Sequence, residues 1–431
     1  MSYIGSTPTT QSFTSGTDYF NGTGSQTAFT LSRTVNSIND IEVVVNNVEQ
    51  QPNTSYTISG TTLTFTAAPS SGTQNIYVRY LSTITTALAP SQNTVQYSSL
   101  NSDNQSKLGI QYKNRIINSA MVIDQRNAGA SVTPANATTT YITDRFALYE
   151  STSGTITGQQ VVDAPTGFIN SLKVTVTSSA TPAANELTIA RQAIEGYNTA
   201  DLGWGTANAK TVTLSFWVKS SLTGQFGGSF VNANVDRSYP FTYTISSAST
   251  WEQKTITVAG DTTGTWGTTN GVGIYVFFDL GTNADRLGTA NTWAAADYRG
   301  ATGDTKLIST NSATWQLTGV QLEVGTQATQ FTTAGGSYGA ELALCQRYYA
   351  ALATPIYYQG FASGAASVAG MIYFPVSMRA APTIGGTLTG SNSSSQSTSN
   401  ISVLGAQITT NTSSSNNTSV TLTSGTASAE L

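Results

Sequence analysis

The chain has 431 residues, of which only 9% are charged, and a formal net charge of −4 with no basic run. Average globular chains carry roughly 25% charge, so Thr, Ser and Asn must solvate this one, and the phosphate-neutralising patch of a nucleic-acid binder is missing. Histidine is absent and Cys345 is the single cysteine, which excludes a Ser-His-Asp or Cys-His machine, an intrachain disulfide and a cysteine metal cluster.

No window approaches the roughly 18 uninterrupted apolar residues of a membrane span, and Met1 to Thr10 lacks the parts of a signal peptide. The expectation is no membrane insertion, synthesis in a cytoplasm and exit by another route such as lysis. The length predicts two to four domains. Aromatics at 10% and recurrent apolar alternation provide enough burial to offset ordering entropy. Disorder stays open for Ser391 to Asn400 and for the segment after Thr409.

Short strands are predicted at Ala28 to Leu31, Ile41 to Val48, Tyr56 to Ile58, Leu63 to Thr66 and Ile76 to Leu81. Ser59-Gly60 reads as the turn of a hairpin between the third and fourth. These strands predict a small β-sandwich or barrel over residues 1–85. Thr85 to Thr94 lacks periodicity and holds Pro90, as a linker does. Leu108, Tyr112 and Ile116 then recur every four residues, which predicts a short helix. A helix so isolated needs a partner for its apolar stripe, either its own domain or the same stripe of neighbouring subunits. Residues 86–113 are therefore read as linker and helical neck.

Strand patterns return at Ile116 to Ile123, Arg145 to Glu150, Leu172 to Val176, Leu187 to Ala193, Val212 to Lys219, Tyr239 to Ile245, Trp251 to Val258, Val272 to Leu280 and Thr314 to Glu323. Such strands, bounded by Gly, Asn and Thr turns, predict a jelly-roll sandwich over residues 114–335. Leu214, Phe216 and Val218 mark a core face, which leaves Trp217 for the other side. Ala340 to Tyr349 is helix-compatible. It opens a last β block, residues 336–431, with strands at Ala369 to Val376, Thr383 to Leu388, Ile401 to Gln407 and Val420 to Thr423. No repeat of β-helix length recurs.

Asn114-Arg-Ile-Ile-Asn118, Gln125-Arg126 and Tyr141-Ile-Thr-Asp-Arg145 resemble the opening of jelly-roll modules in phage tail fibres, which are similar to carbohydrate-binding modules. Leu214-Ser-Phe-Trp-Val-Lys219, Trp251-Glu-Gln-Lys-Thr-Ile256 and Leu317-Thr-Gly-Val-Gln-Leu-Glu323 resemble their later core strands. Cys345-Gln-Arg-Tyr-Tyr349 resembles the join to the fibre tip. The first 80 or so residues are similar to an N-terminal domain of structural proteins in marine short-tailed phages. The resemblance implies an all-β homotrimeric fibre in the virion tail. Its N-terminus would attach to a tail adaptor, nozzle or baseplate protein, and its C-terminal half would face a receptor.

Sugars are held by aromatic rings on their apolar faces, with amides and carboxylates on their hydroxyls. The candidate carbohydrate-contacting residues are therefore loop aromatics: Trp204 and Trp266, each next to glycines, then Trp293 with Tyr298 in a long loop, and Tyr357 and Tyr358 near the tip. Ordinary packing is the competing reading for each. Asp297 and Asp304 are a conceivable glycosidase pair, though nothing in the sequence positions them. Asp144 and Glu323 are conceivable calcium ligands without the dense acidic loop such a site needs. Gly271-Val-Gly273 and Gly335-Gly336 read as turns, because neither precedes a helix with the lysine of a phosphate loop. Cys345 reads as a buried small hydrophobe. The expectation is a non-enzymatic fibre subunit, with no cofactor or metal, that adheres to a host-surface glycan. A depolymerase tailspike and a baseplate or capsid-decorating protein are the alternatives.

Overall fold

The computed structural model describes residues 16–81, 113–362, 366–412 and 416–431. They belong to two compact units, one within residues 1–108 and one within 109–431. The architecture is all-β, with one α-helix among the described residues.

In the first unit, β1 (Thr17–Gly22), β6 (Gly72–Tyr80), β3 (Ile41–Val45) and β4 (Val48–Glu49) form one antiparallel sheet in that order. A second sheet pairs β2 (Ala28–Val35) with β5 (Tyr56–Phe65). Phe29, Val43, Tyr56, Leu63, Ile76 and Val78 fill the core between them. Two local expectations change. The Ile41 to Val48 strand breaks at Asn46 and Asn47, both at positive φ, as the tight turn joining β3 to β4 requires. Ser59-Gly60 closes no hairpin, because Tyr56 to Phe65 is one strand along β2, with Gly60 opposite Val35 at a register shift. A glycine at positive φ serves a bulge as well as a turn, and the partner strand decides between them.

The predicted neck lies outside the described residues, apart from Lys113. Ile116, the last residue of its stripe, is buried in the core of the second unit. The strand expected over Ile116 to Ile123 is instead a run of turns, with Asn118 and Met121 at positive φ. The Asn118 amide replaces a ladder there. Its Nδ2 donates to the Ile123 and Asp144 carbonyls at 2.7 and 2.8 Å, and its Oδ1 accepts from Ile123 N at 3.0 Å.

Eleven strands make the jelly-roll sandwich. The five-stranded sheet orders β15 (Glu252–Val258), β12 (Val212–Ser220), β19 (Thr314–Val324), β10 (Ser171–Ser178) and β9 (Thr155–Val161). The six-stranded sheet orders β14 (Ser238–Ile245), β13 (Gly224–Val231), β16 (Val272–Thr282), β11 (Leu187–Glu195), β8 (Phe146–Glu150) and β7 (Thr140–Thr143). Period-2 alternation turns Leu214, Phe216 and Val218 inward, and the Phe216 ring lies 5.1 Å from those of Tyr243 and Phe278. Each large apolar side chain fully buried in such a core contributes about 1.5–3 kcal/mol. β7, β9 and β13 were not expected from the sequence. In β13 the glycines required by close packing are poor strand formers: a Cβ on Gly228 would fall on the Phe277 carbonyl oxygen.

Loops cover parts of the outer faces of both sheets. Over the five-stranded sheet, Asp163 accepts from Lys219 at 2.5 Å and Gln316 at 3.1 Å, while Thr318 donates to the Asn170 carbonyl at 2.8 Å. Farther along, Glu323 accepts from Thr329 N and Oγ1 at 2.8 and 2.7 Å. Trp217 faces this side, beside Phe168 over Gly319. A flap of residues 283–306, carrying β17 (Leu287–Gly288) and β18 (Gly300–Ala301), covers part of the six-stranded sheet.

The helix α1 (Tyr338–Gln346) leads into β20 (Tyr349–Ala351) and the last block. There β26 (Asn416–Ser428) pairs on one edge with β23 (Thr383–Ser391), and on the other with β20 and β21 (Ile356–Ala362). A second sheet orders β22 (Ser367–Tyr373), β25 (Gly405–Asn411) and β24 (Ser395–Ser399). The stretches left open to disorder thus supply β24 and β26. Ile401 to Leu404, expected in a strand, precede β25 as a turn.

The sequence motifs at the start of the jelly roll and at the join meet in one buried network. Arg145, 1% exposed, lies 3.6 Å from the Tyr348 ring centroid and donates to Glu430 and to the Ala193 carbonyl. Arg126 stacks 3.6 Å from the Tyr349 ring centroid and donates to Glu430 at 2.5 Å. Arg347 holds Glu195 through two bonds of 2.9 and 2.6 Å. These contacts fasten the last block to the jelly roll.

Candidate functional site

Three of the predicted aromatic residues come together. Trp204 lies in the loop between β11 and β12, Trp266 in that between β15 and β16, and Trp293 in the flap. Their ring centroids are 4.8 Å apart for Trp204 and Trp266, 5.3 Å for Trp204 and Trp293, and 5.5 Å for Trp266 and Trp293, all edge-to-face. This is the arrangement that the ring quadrupoles favour. Tyr239 extends the cluster, 5.0 Å from Trp293.

A Trp between glycines is hard to bury by strand alternation, yet Trp204 and Trp266 are packed, only 6% and 9% exposed. Their indole N–H groups are satisfied within the protein. Trp204 donates to the Lys210 carbonyl at 2.9 Å, Trp293 to the Ala259 carbonyl at 2.8 Å, and Trp266 to Asp261 and the Thr263 carbonyl at 3.3 and 3.2 Å. Burial acts to raise the Asp261 carboxyl, but bonds from Arg237 and Thr263 outweigh it and hold it below the ordinary carboxylate value. Asp261 is thus an ionised buttress. The glycines serve close approach: at Gly267 a Cβ would fall on the Val272 carbonyl oxygen.

The cluster opens to solvent along one edge, through a cleft of about 130 Å³. Trp204, Trp266 and Ile274 line it together with Ala200, Gly203, Gly267 and the three threonines Thr199, Thr206 and Thr268. A cavity of roughly 150 Å³ holds one benzene ring, so this smaller, partly open space admits an acetamido group or one edge of a sugar ring. No carboxylate lines it.

Trp293 and Tyr298 do not line this cleft. Tyr298 is half-buried, with its ring against Gly288. At the tip, the adjacent Tyr357 and Tyr358 point to opposite sides of β21, as strand geometry dictates. Tyr357 is 55% exposed and donates to Gln359 at 2.9 Å. Tyr358 packs against the core of the last block over Gly370 and donates to the Met371 carbonyl. The cleft threonines were not foreseen, because hydroxyls recur throughout this chain.

The other candidates disperse. Asp297 is tied to Arg286 and, at 2.6 Å, to Arg299. Asp304 accepts from Ala301 N at 2.8 Å and Gln225 at 3.2 Å, and burial pushes it up to about 6. Asp144 is pushed up to about 7 by burial, beside Gln125 and Arg126, while Glu323 answers to Gln321, Thr329 and Lys113. Among the described residues no group of three or more His, Cys, Asp or Glu is placed to hold a metal. Burial pushes the Cys345 thiol well above its usual range. No helix among the described residues is long and apolar enough to cross a membrane.

No family model and no curated protein matches the chain. Solved structures similar to it include a CBM4 structure, at 15% identity over 48% of this chain and 98% of that one, with a TM-score of 0.27. A putative sugar binding protein from Bacteroides thetaiotaomicron is 10% identical over 49% of this chain and 100% of that one, with a TM-score of 0.30. The enzymatically active domain of tailspike protein 4 from bacteriophage CBA120 is 13% identical over 50% of this chain and 22% of that one, with a TM-score of 0.26. At these identities and TM-scores the likeness carries no conclusion about function.

Proposed function

We propose that the chain is a non-catalytic subunit of a homotrimeric virion tail fibre, attached through its N-terminal sandwich, that holds a host-surface glycan in the Trp204–Trp266 cleft. The observation that carries the glycan reading is the cleft itself: aromatic walls and threonine hydroxyls around a space for an acetamido group or one edge of a sugar ring, without a carboxylate. The tail, the trimer and the anchoring role rest on the sequence resemblance.

A site this small binds weakly, and a trimer offers it three times. Linked sites raise avidity by about 10² to 10⁴ when they engage together. Filling the cleft from its exposed rim, by Thr268→Trp or Thr206→Trp, leaves the buried rings in place. Both substitutions should abolish adhesion of purified fibres to host cells while the fold persists. Undiminished adhesion by both folded variants refutes the site. Light scattering should give three chains per particle, and a stable monomer overturns the trimer. Release of oligosaccharide from host polysaccharide would replace adhesion with depolymerase activity.

A further inference from the structure

Asp279 on β16 is the most exacting buried group in the second unit. It is 1% exposed and lies on the outer side of its strand, with its cross-strand neighbours Gly227 and Ile189 bringing no charge. Its Oδ1 accepts from Gly281 N at 2.9 Å and Thr282 Oγ1 at 2.7 Å. Its Oδ2 has no hydrogen-bond partner among the described residues. That oxygen sits where a side chain on Gly300, in the flap, would have to go. The flap also brings Asp304, a second buried carboxylate, whose Oδ2 sits where a side chain on Gly227 would go.

An ionised carboxylate with one free oxygen beneath a covering segment, facing a like charge, is unfavourable unless it is protonated or the cover moves. The opposing charges nearby are few. Lys306 in the flap favours the Asp279 anion through its positive charge. Arg286 and Arg299 are committed to Asp297, and Arg191 on β11 donates to Thr139 at 2.7 Å.

We propose that residues 283–306 form a pH-responsive lid on the six-stranded sheet, closed while Asp279 carries a proton and loosened when it ionises. Burial first, and the charge of Asp304 second, push Asp279 up to about 7. A carboxyl raised above its solvent-exposed value stabilises the closed state fully at low pH and loses that contribution as pH rises through about 7. The lid is tied by a limited set of bonds that it must break to loosen: β17 and β18 are two residues each, reciprocal backbone bonds between Ser238 and Ala294 and one from Asn291 N to the Pro240 carbonyl hold it to β14, and one from Thr305 N to the Gln225 carbonyl holds it to β13.

Hydrogen exchange of the full-length protein tests the lid without reference to any ligand. After correction for intrinsic rates, protection of the amides at 300–305 should fall about tenfold between pH 6 and pH 8, the change expected from linkage for a carboxyl near 7 in the closed state. In Asp279→Asn the fall should vanish. In Asp304→Asn, which removes the facing like charge, it should shrink, and this variant serves if the first does not fold. Three results overturn the proposal: no fall in the native protein, an undiminished fall in either variant, or calcium restoring protection at pH 8, which would make the free oxygen a metal ligand.

Discussion

Trp266→Ala separates packing from ligand contact. The ring is nearly buried, makes two edge-to-face contacts and donates its N–H to Asp261 and the Thr263 carbonyl. Truncating a buried Trp to Ala costs about 3–5 kcal/mol through lost transfer energy and the cavity left behind. That range already contains the roughly 0.5–1.5 kcal/mol of each aromatic pair. Asp261 keeps its two bonds from Arg237, at 2.8 and 2.6 Å, so no unpaired charge adds to the cost. A loss near 4 kcal/mol in a sandwich of this size lowers Tm by roughly 10 °C. Differential scanning calorimetry measures it, with cell adhesion measured below the transition. Trp266→Phe retains part of the edge contact and should lose less. If Trp266→Ala melts like the native protein yet no longer adheres, the ring is a ligand contact and the packing argument is refuted.

Arg145→Met should destabilise the second unit by about 1–3 kcal/mol, because Glu430 and the Ala193 carbonyl each lose a charge-assisted bond while Glu430 keeps its partner Arg126. Adding Glu430→Gln should recover part of that loss in a double-mutant cycle from urea midpoints, and strict additivity would deny the coupling. Asp144 is also raised to about 7 by burial, so its contribution is full at acid pH and declines as pH rises through about 7. Asp144→Asn should therefore reduce the pH dependence of the urea midpoint between pH 4 and 7, and an unchanged slope would contradict the burial of that carboxyl. Gly228→Ala places a methyl group on the Phe277 carbonyl, and overpacking of this kind costs about 1–3 kcal/mol or more. A normal urea midpoint would show that β13 and β16 separate more easily than their register implies.

The all-β class was legible in the chain because alternation such as Leu214-Ser-Phe216-Trp-Val218 obeys a local rule: successive side chains of a strand face opposite ways. Local rules stop where one residue type serves two geometries. Gly60 has the same positive φ whether it turns a hairpin or bends a strand, and its place opposite Val35 comes from β2. Glycine-rich β13 was not foreseen because its propensity for a strand is poor, while its packing demands that no Cβ be present at Gly228. The Tyr141 to Arg145 and Cys345 to Tyr349 motifs were legible only as resemblances, and the fold shows that they meet over Glu430. The candidate site divides in the same way. Glycine flanks around Trp204 and Trp266 announced an unusual backbone but left exposure and packing both open, and the fold packs both rings. Three loops distant in sequence converge on one aromatic cluster, and burial is a property of what converges, which no stretch of sequence contains.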